Sequence, residues 1–425
     1  MSRSDAPSAV AGVHLPDDAD RRARAAALAC MIGLAVALGV GRFAFTPLLP
    51  LMLADGSIGL KAGSWLASAN YAGYFVGAVS CAAVRVAPAR MVRFGLAATV
   101  LLTAAMGVGH LLSVWLVVRF VAGVVSAWTF VFVSQWGLRR LTELHAPEWS
   151  GVIYAGPGVG IVLTGLIGSA LAGHRAAPGW LGFAALSALL SVAIWRTFGS
   201  APGPAVSTTA ARGAAAPAMR ERPAAPAAAP HDARRHRADA ARLVVLYGMP
   251  GFGYIITATF LPVIARAALP AGSPWPDLFW PMFGAALIVG AIAASRLPGH
   301  WDNRLLLAAG CATQALGIAA GIVWPNAAGF SAGSALLGLP FTAITLFAMR
   351  EARRLHGERA AGLMGYATAS YGVGQILGPL VAAPLTARFG SFSPALWVAA
   401  GALLAGAAGF AATAARVRAQ PRMQP

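Results

Sequence analysis

The sequence predicts an all-α polytopic membrane protein of twelve transmembrane helices, arranged as two six-helix bundles related by a parallel pseudo-two-fold repeat. Three observations predict it. Of 425 residues, 58% are hydrophobic and 11% charged, with 49 glycines, far more apolar than a soluble domain. Apolar runs of about 20 residues, enough to cross a hydrocarbon core of about 30 Å, recur near 26–52, 62–84, 93–112, 114–138, 150–173 and 180–198, and again near 242–266, 277–297, 304–324, 328–350, 361–385 and 394–415. Between the two sets, residues 199–241 are rich in Ala, Pro and Arg without apolar periodicity, the composition of a flexible connector.

Residues 1–24 mix Asp17, Asp18 and Asp20 with Arg21, Arg22 and Arg24 and read as an uncleaved cytoplasmic tail, not a secretory signal, whose charged region carries no acids. The first bundle is expected over 25–198, the second over 242–415, and a second tail over 416–425. With both termini inside, nearly all of the 32 basic residues fall in inward tails, loops and the connector. The exceptions are Lys61, Arg175, Arg266 and Arg388 outside, and Arg42 and Arg119 within the membrane. The positive-inside rule therefore places both termini in the cytoplasm. The same distribution argues against nucleic acid as a partner, because the formal charge of +18 is spread over a membrane face instead of one folded basic patch. Cys30, Cys81 and Cys311 lie in apolar segments without metal-ligand spacing, so neither disulfide, metal nor cofactor is expected.

The outer part of the first run, Gly39-Val40-Gly41-Arg42-Phe43-Ala44-Phe45-Thr46-Pro47-Leu48-Leu49-Pro50, is no plain anchor. An arginine at a helix centre costs ~2.5–3.5 kcal/mol on insertion scales and faces a partner or an aqueous cavity. Pro47 and Pro50 remove backbone donors that neighbouring helices must replace.

A shift of 212 residues lays Gly39-x-Gly41-Arg42 and Leu49-Pro50 on Gly251-x-Gly253-Tyr254 and Leu261-Pro262, and Tyr154-Ala155 on Tyr366-Ala367; a shift of 214 lays Arg139-Arg140-Leu141 on Arg353-Arg354-Leu355. Six helices is an even number, so the halves share one orientation and repeat about an axis along the membrane normal. This architecture resembles the major facilitator superfamily. Arg119-x-x-x-Gly123 is similar to its helix-four arginine motif, and Gly156-Pro157-x-x-Gly160 to its helix-five motif, repeated as Gly374-x-x-x-Gly378-Pro379. The loop between the second and third helices departs from the pattern, since Arg85, Arg90 and Arg93 stand there without the usual acid; Asp302 and Arg304 partly supply the pair in the second half. More narrowly, residues 39–52 and Trp65–Tyr74 resemble the YbfB/YjiJ family, which implies a bacterial inner-membrane carrier.

Arg42, about 21 Å along its helix, and Arg119 fall at one level of the outer half, where two guanidiniums suit a carboxylate or phosphate. The alternative for either is bracing backbone carbonyls. Asn70 and Tyr74 share a helix face with Gly73 and Gly77, and Gln375 shares one with Tyr371, Gly374 and Gly378. The expected substrate-binding set is Arg42, Asn70, Tyr74, Arg119, Tyr154, Tyr254 and Gln375, with Pro47, Pro50, Gly156, Pro157, Gly378 and Pro379 as gating or packing positions. All fourteen acids fall in tails, loops or helix ends, so no carboxylate serves as an intramembrane proton relay.

The function expected is secondary transport of a small organic solute, an anion among the candidates, by a monomer alternating between two accessible states in the lipid bilayer. The alternatives are a proton-coupled efflux carrier using Asp55 and a non-transporting receptor or scaffold. An embedded enzyme would need a catalytic cluster at one face, and the glycine runs lack the strand and lysine of a nucleotide loop.

Overall fold

The computed structural model describes residues 16–199, 230–356 and 360–419. Helix α1 runs in three parts, Pro16–Leu34, a π-helical Ala35–Val40 and Phe45–Ala54. Then follow α2 (Leu60–Ser80), α3 (Pro88–Val108), α4 (Leu112–Glu143), α5 (Ser150–Ala170) and α6 (Ala176–Trp195). The second half comprises α7 (Pro230–Ala268), α8 (Trp275–Ser295), α9 (Asn303–Val323), a two-part α10 (Ala327–Gly338, Phe341–His356), α11 (Ala360–Phe389) and α12 (Ser393–Arg418).

Helix pairing repeats between the halves. In the first, α1 packs on α5, α2 on α4, and α3 on α4 and α6; in the second, α7 packs on α11, α8 on α10, and α9 on α10 and α12. The backbone contacts repeat as well. A Cβ on Gly77 of α2 would lie 2.6 Å from the Val124 carbonyl of α4, and one on Gly290 of α8 would lie 1.7 Å from the Leu339 carbonyl of α10. Both crossings are therefore closed to any side chain. Between bundles, α5 lies along α8, α2 along α11, and α1 meets α7.

Among the described residues, ten of the helices are long and apolar enough to cross a membrane, by length and composition. The other two, α2 and α11, are partners across the bundle interface, and among the polar groups that lower their hydropathy Ser68, Tyr71 and Gln375 hydrogen-bond to the opposite bundle.

Three elements differ from the sequence expectation. The first run is not one helix but breaks at 35–44, and α10 divides around Pro340. Helix α7 begins at Pro230, inside the stretch expected as connector; residues 200–229 lie outside the described residues, as do most of the two tails. The departure around the loop between α2 and α3 also has a structural outcome. Without an acid, Arg93 donates to the Trp195 carbonyl at the end of α6 (3.1 Å). In the second half Asp302 caps α9 by accepting from the Arg304 N–H (3.0 Å), and the Arg304 side chain pairs with buried Glu351 (2.7 Å).

Candidate substrate-binding site

The site begins with the break in α1. Gly41 N–H donates to the Val36 carbonyl and Phe43 N–H to that of Leu38, each five residues back, and Thr46 N–H donates to Phe43, three residues back. These displaced bonds strand the carbonyls of Ala37 and Arg42, whose usual donors have gone elsewhere. Helix α4 replaces them. Ser126 Oγ donates to the Ala37 carbonyl (2.8 Å), while the Arg119 guanidinium donates to the carbonyls of Gly41 (3.4 Å) and Arg42 (3.3 Å) and covers the ring of Phe45. Arg119 is thus a brace for the broken helix, and Asn70, whose amide donates to the Arg119 carbonyl (2.9 Å), ties α2 to the same turn of α4. The prolines do not make the break. Pro47 lies in the first turn of the resumed helix, where no donor is required, and Pro50 lies inside it.

The break turns Arg42 toward the second bundle. Its side chain, 5% exposed, lies over the rings of Tyr74 (4.1 Å to the centroid), Tyr71 (5.1 Å) and Phe43 (5.3 Å). Nη2 donates to Oε1 of Gln375 on α11 (2.8 Å), and the Gln375 amide donates in turn to the Tyr254 hydroxyl on α7. Tyr254 stacks on Tyr371 (5.9 Å), which stacks on Tyr247 (4.8 Å), and Phe341 closes edge-on against Tyr254 (5.0 Å). A desolvated cation–π contact contributes about 2 kcal/mol and a hydrogen bond to a charged group about 1.5–3 kcal/mol, enough to offset the cost of an arginine in lipid. Arg42 Nε, buried, has no acceptor among the described residues.

Among the described residues, four side-chain hydrogen bonds join the bundles in the half remote from the termini. Besides Arg42 to Gln375, Ser68 donates to the Ile376 carbonyl (2.9 Å) and Tyr71 pairs with Thr259 (2.8 Å). Thr46 donates to the Ala258 carbonyl (2.9 Å), and these two residues are separated by the repeat offset of 212. Pro262 explains the last bond, because it cannot donate to the carbonyl four residues back, which is that of Ala258.

The structure brings Arg42, Tyr74, Tyr254 and Gln375 together, adds Tyr71, Tyr371 and Phe341, and places Arg119 and Asn70 behind them. Tyr154 is elsewhere, packed on Phe130 at 6.3 Å within the first bundle. The gating positions serve packing. A Cβ on Gly156 would meet the Met31 carbonyl at 2.4 Å, one on Gly378 the Ile255 side chain at 2.2 Å, and Pro47 fills the space left by Gly168. Pro157 lies inside α5 and Pro379 inside α11, and Pro379 removes the helix donor that the Gln375 carbonyl would otherwise have.

Asp55 is exposed beyond α1 and accepts from the Ala176 N–H at the start of α6 (3.0 Å) and from the N–H (3.0 Å) and hydroxyl of Ser57. Partial burial raises its pKa, but these hydrogen bonds and the charge of Arg175 outweigh that, so it is held below the usual carboxylate value. It caps a helix and does not reach the Arg42 cluster.

The sequence matches, over residues 34–410, the family model described as uncharacterised MFS-type transporter YbfB. The chain belongs to this family. No curated protein matches it. Among solved structures, it is similar to a point mutant of the nucleoside transporter NupG, with a TM-score of 0.65 at 14% identity, covering 91% of this chain and 99% of that one. That likeness establishes the major facilitator fold, and the family makes this chain a secondary transporter in kind.

Proposed function

We propose that this transporter carries a small organic anion with a flat or apolar body, by alternating access about the Arg42 cluster, with both termini on the cytoplasmic face of a bacterial inner membrane. One observation carries the reading: a buried guanidinium on the first bundle is held by a neutral amide of the second and retains a buried N–H without an acceptor among the described residues. A carboxylate would satisfy both donors, because its two oxygens match the guanidinium fork.

In the conformation described, the four interbundle bonds belong to the state closed on the side remote from the termini. An anion arriving from the terminal side competes with Gln375 for Arg42. Once Gln375 is released, the bundles are free to rock apart on the remote side, and the aromatic walls of Tyr74, Tyr254 and Phe341 take the body of the solute. Guanidinium groups keep their charge at physiological pH, and Asp55 is occupied as a cap. Exchange or facilitated diffusion therefore suits this chain better than proton-coupled efflux through Asp55.

The tyrosine stack favours a second reading. NupG is by its description a nucleoside transporter, and a nucleobase would stack on Tyr254 and Tyr371 as an aromatic acid would. Thermal stabilisation of the purified protein separates the two readings. Aromatic and aliphatic carboxylates are expected to raise the apparent Tm of the wild type but not of Arg42→Gln. Stabilisation by nucleosides, undiminished in Arg42→Gln, would replace the anion reading with the nucleoside one.

A further inference from the structure

A second basic site, separate from the Arg42 cluster, lies between α7 and α12 at the face where the chain ends. Gly409 of α12 seats the Leu246 side chain of α7, and a Cβ there would lie 2.3 Å from Leu246. Toward the terminal face the two helices leave a cavity of about 400 Å³ lined by Arg242, Val245, Leu246, Gly409, Thr413 and Arg416. Its walls are graded. Val245, 59% exposed, and Leu246 form an apolar side toward the middle of the span, and both arginines stand at its end. Arg242 is steadied by Asp239 through one nitrogen (2.8 Å) with the rest of its fork open, while Arg416 is exposed and has no ion pair among the described residues. Both helices are long and apolar enough to cross a bilayer, so the groove opens to lipid and not only to water.

We propose that this groove binds the phosphate headgroup of an anionic phospholipid. The two guanidiniums clasp the phosphate, and the first methylenes of the acyl chains lie along Val245 and Leu246. An apolar wall meeting a pair of cations at the depth of the headgroups complements a lipid anion, whereas a soluble phosphate would leave the apolar half of the groove unused. The site bridges α7, which also carries Tyr254, to the last helix of the bundle, and so ties lipid composition to the second bundle.

Native mass spectrometry of the delipidated protein with phosphatidylglycerol, phosphatidylcholine or glycerol phosphate tests the proposal. Phosphatidylglycerol is expected to bind in preference to the other two. Affinity should fall about five-fold for Arg242→Gln or Arg416→Gln and about twenty-five-fold for both, at the usual worth of a basic residue at the membrane surface. Arg139→Gln, on the same face of the first bundle, should bind as the wild type does. If the double variant does not fold, Val245→Trp, which fills the groove from its lipid-exposed wall, is expected to weaken the lipid in its place. Equal binding of phosphatidylcholine, undiminished phosphatidylglycerol binding in the variants, competition by glycerol phosphate at lipid concentrations, or a dimer lost with the arginines would each overturn the proposal.

Discussion

Gln375 accepts from one bundle and donates within the other, so on the anion reading proposed above its amide holds Arg42 where a carboxylate would, without a charge. Gln375→Glu should supply that charge permanently. The variant is expected to melt several degrees higher than the wild type and to lose transport at least about ten-fold, because a fixed carboxylate on Arg42 raises the cost of opening; a faster variant would remove Gln375 from the cycle. Arg42→Lys should weaken binding, since an ammonium lacks the fork, and Arg42→Gln should nearly abolish it. Arg119 predicts a different outcome. Arg119→Met strands two buried carbonyls at about 1–3 kcal/mol each, so the expected loss is of stability and expression, with the remaining folded protein binding anions normally by thermal shift. Arg42 and Gln375 were legible in the sequence because a charge or amide in an apolar run demands a partner, and Tyr254 because it falls on Arg42 in the repeat. For Arg119 the sequence left bracing of backbone carbonyls open beside substrate binding, and the outcome depends on carbonyls that become free only where α1 breaks; Tyr71 and Phe341 were hidden because an aromatic ring in a membrane helix reads equally as lipid contact.

At the scale of the element, α1 determines the site by being imperfect. Its glycines and prolines pointed to weakness, but the break falls upstream of both prolines, set by the approach of α5. A Cβ on Gly39 would lie 2.3 Å from the Gly160 Cα, so two backbones touch there. Gly39→Val should prevent stable insertion of the bundle, and Gly39→Ala should lower the Tm with substrate affinity unchanged in the folded fraction, as read by thermal melting with and without solute. The turn after α1 makes a pH prediction. Asp55 has a lowered pKa in the fold, so its contribution is present above the unfolded value of about 4 and disappears as pH falls through the still lower folded value. Asp55→Asn should therefore lower the Tm modestly at pH 7, by loss of a cap, and the difference should shrink as pH falls below about 4 and vanish below the lower folded value, while transport at pH 7 survives.

For the whole molecule, the repeat was the most legible feature, since its offset of 212 reappears as a physical contact between Thr46 and Ala258 across the axis. Less legible was the assignment of helices to the interface. Helices α2 and α11 are distinguished by modest polarity, which in a sequence looks like a weak span and in the fold is a surface shared by two bundles. Two bundles that meet through four polar bonds on one side are suited to rocking, and the segment between α6 and α7 is then needed only as a tether; halves divided within 200–229 and co-expressed should regain transport. The most direct test of the central claim is counterflow of a labelled organic anion, identified by thermal shift, in liposomes containing the purified protein and no pH gradient. Counterflow that persists in the wild type and in Asp55→Asn and is lost in Arg42→Gln is the predicted result. Accumulation that requires an imposed proton gradient and disappears in Asp55→Asn, with Arg42→Gln as active as the wild type, would contradict it.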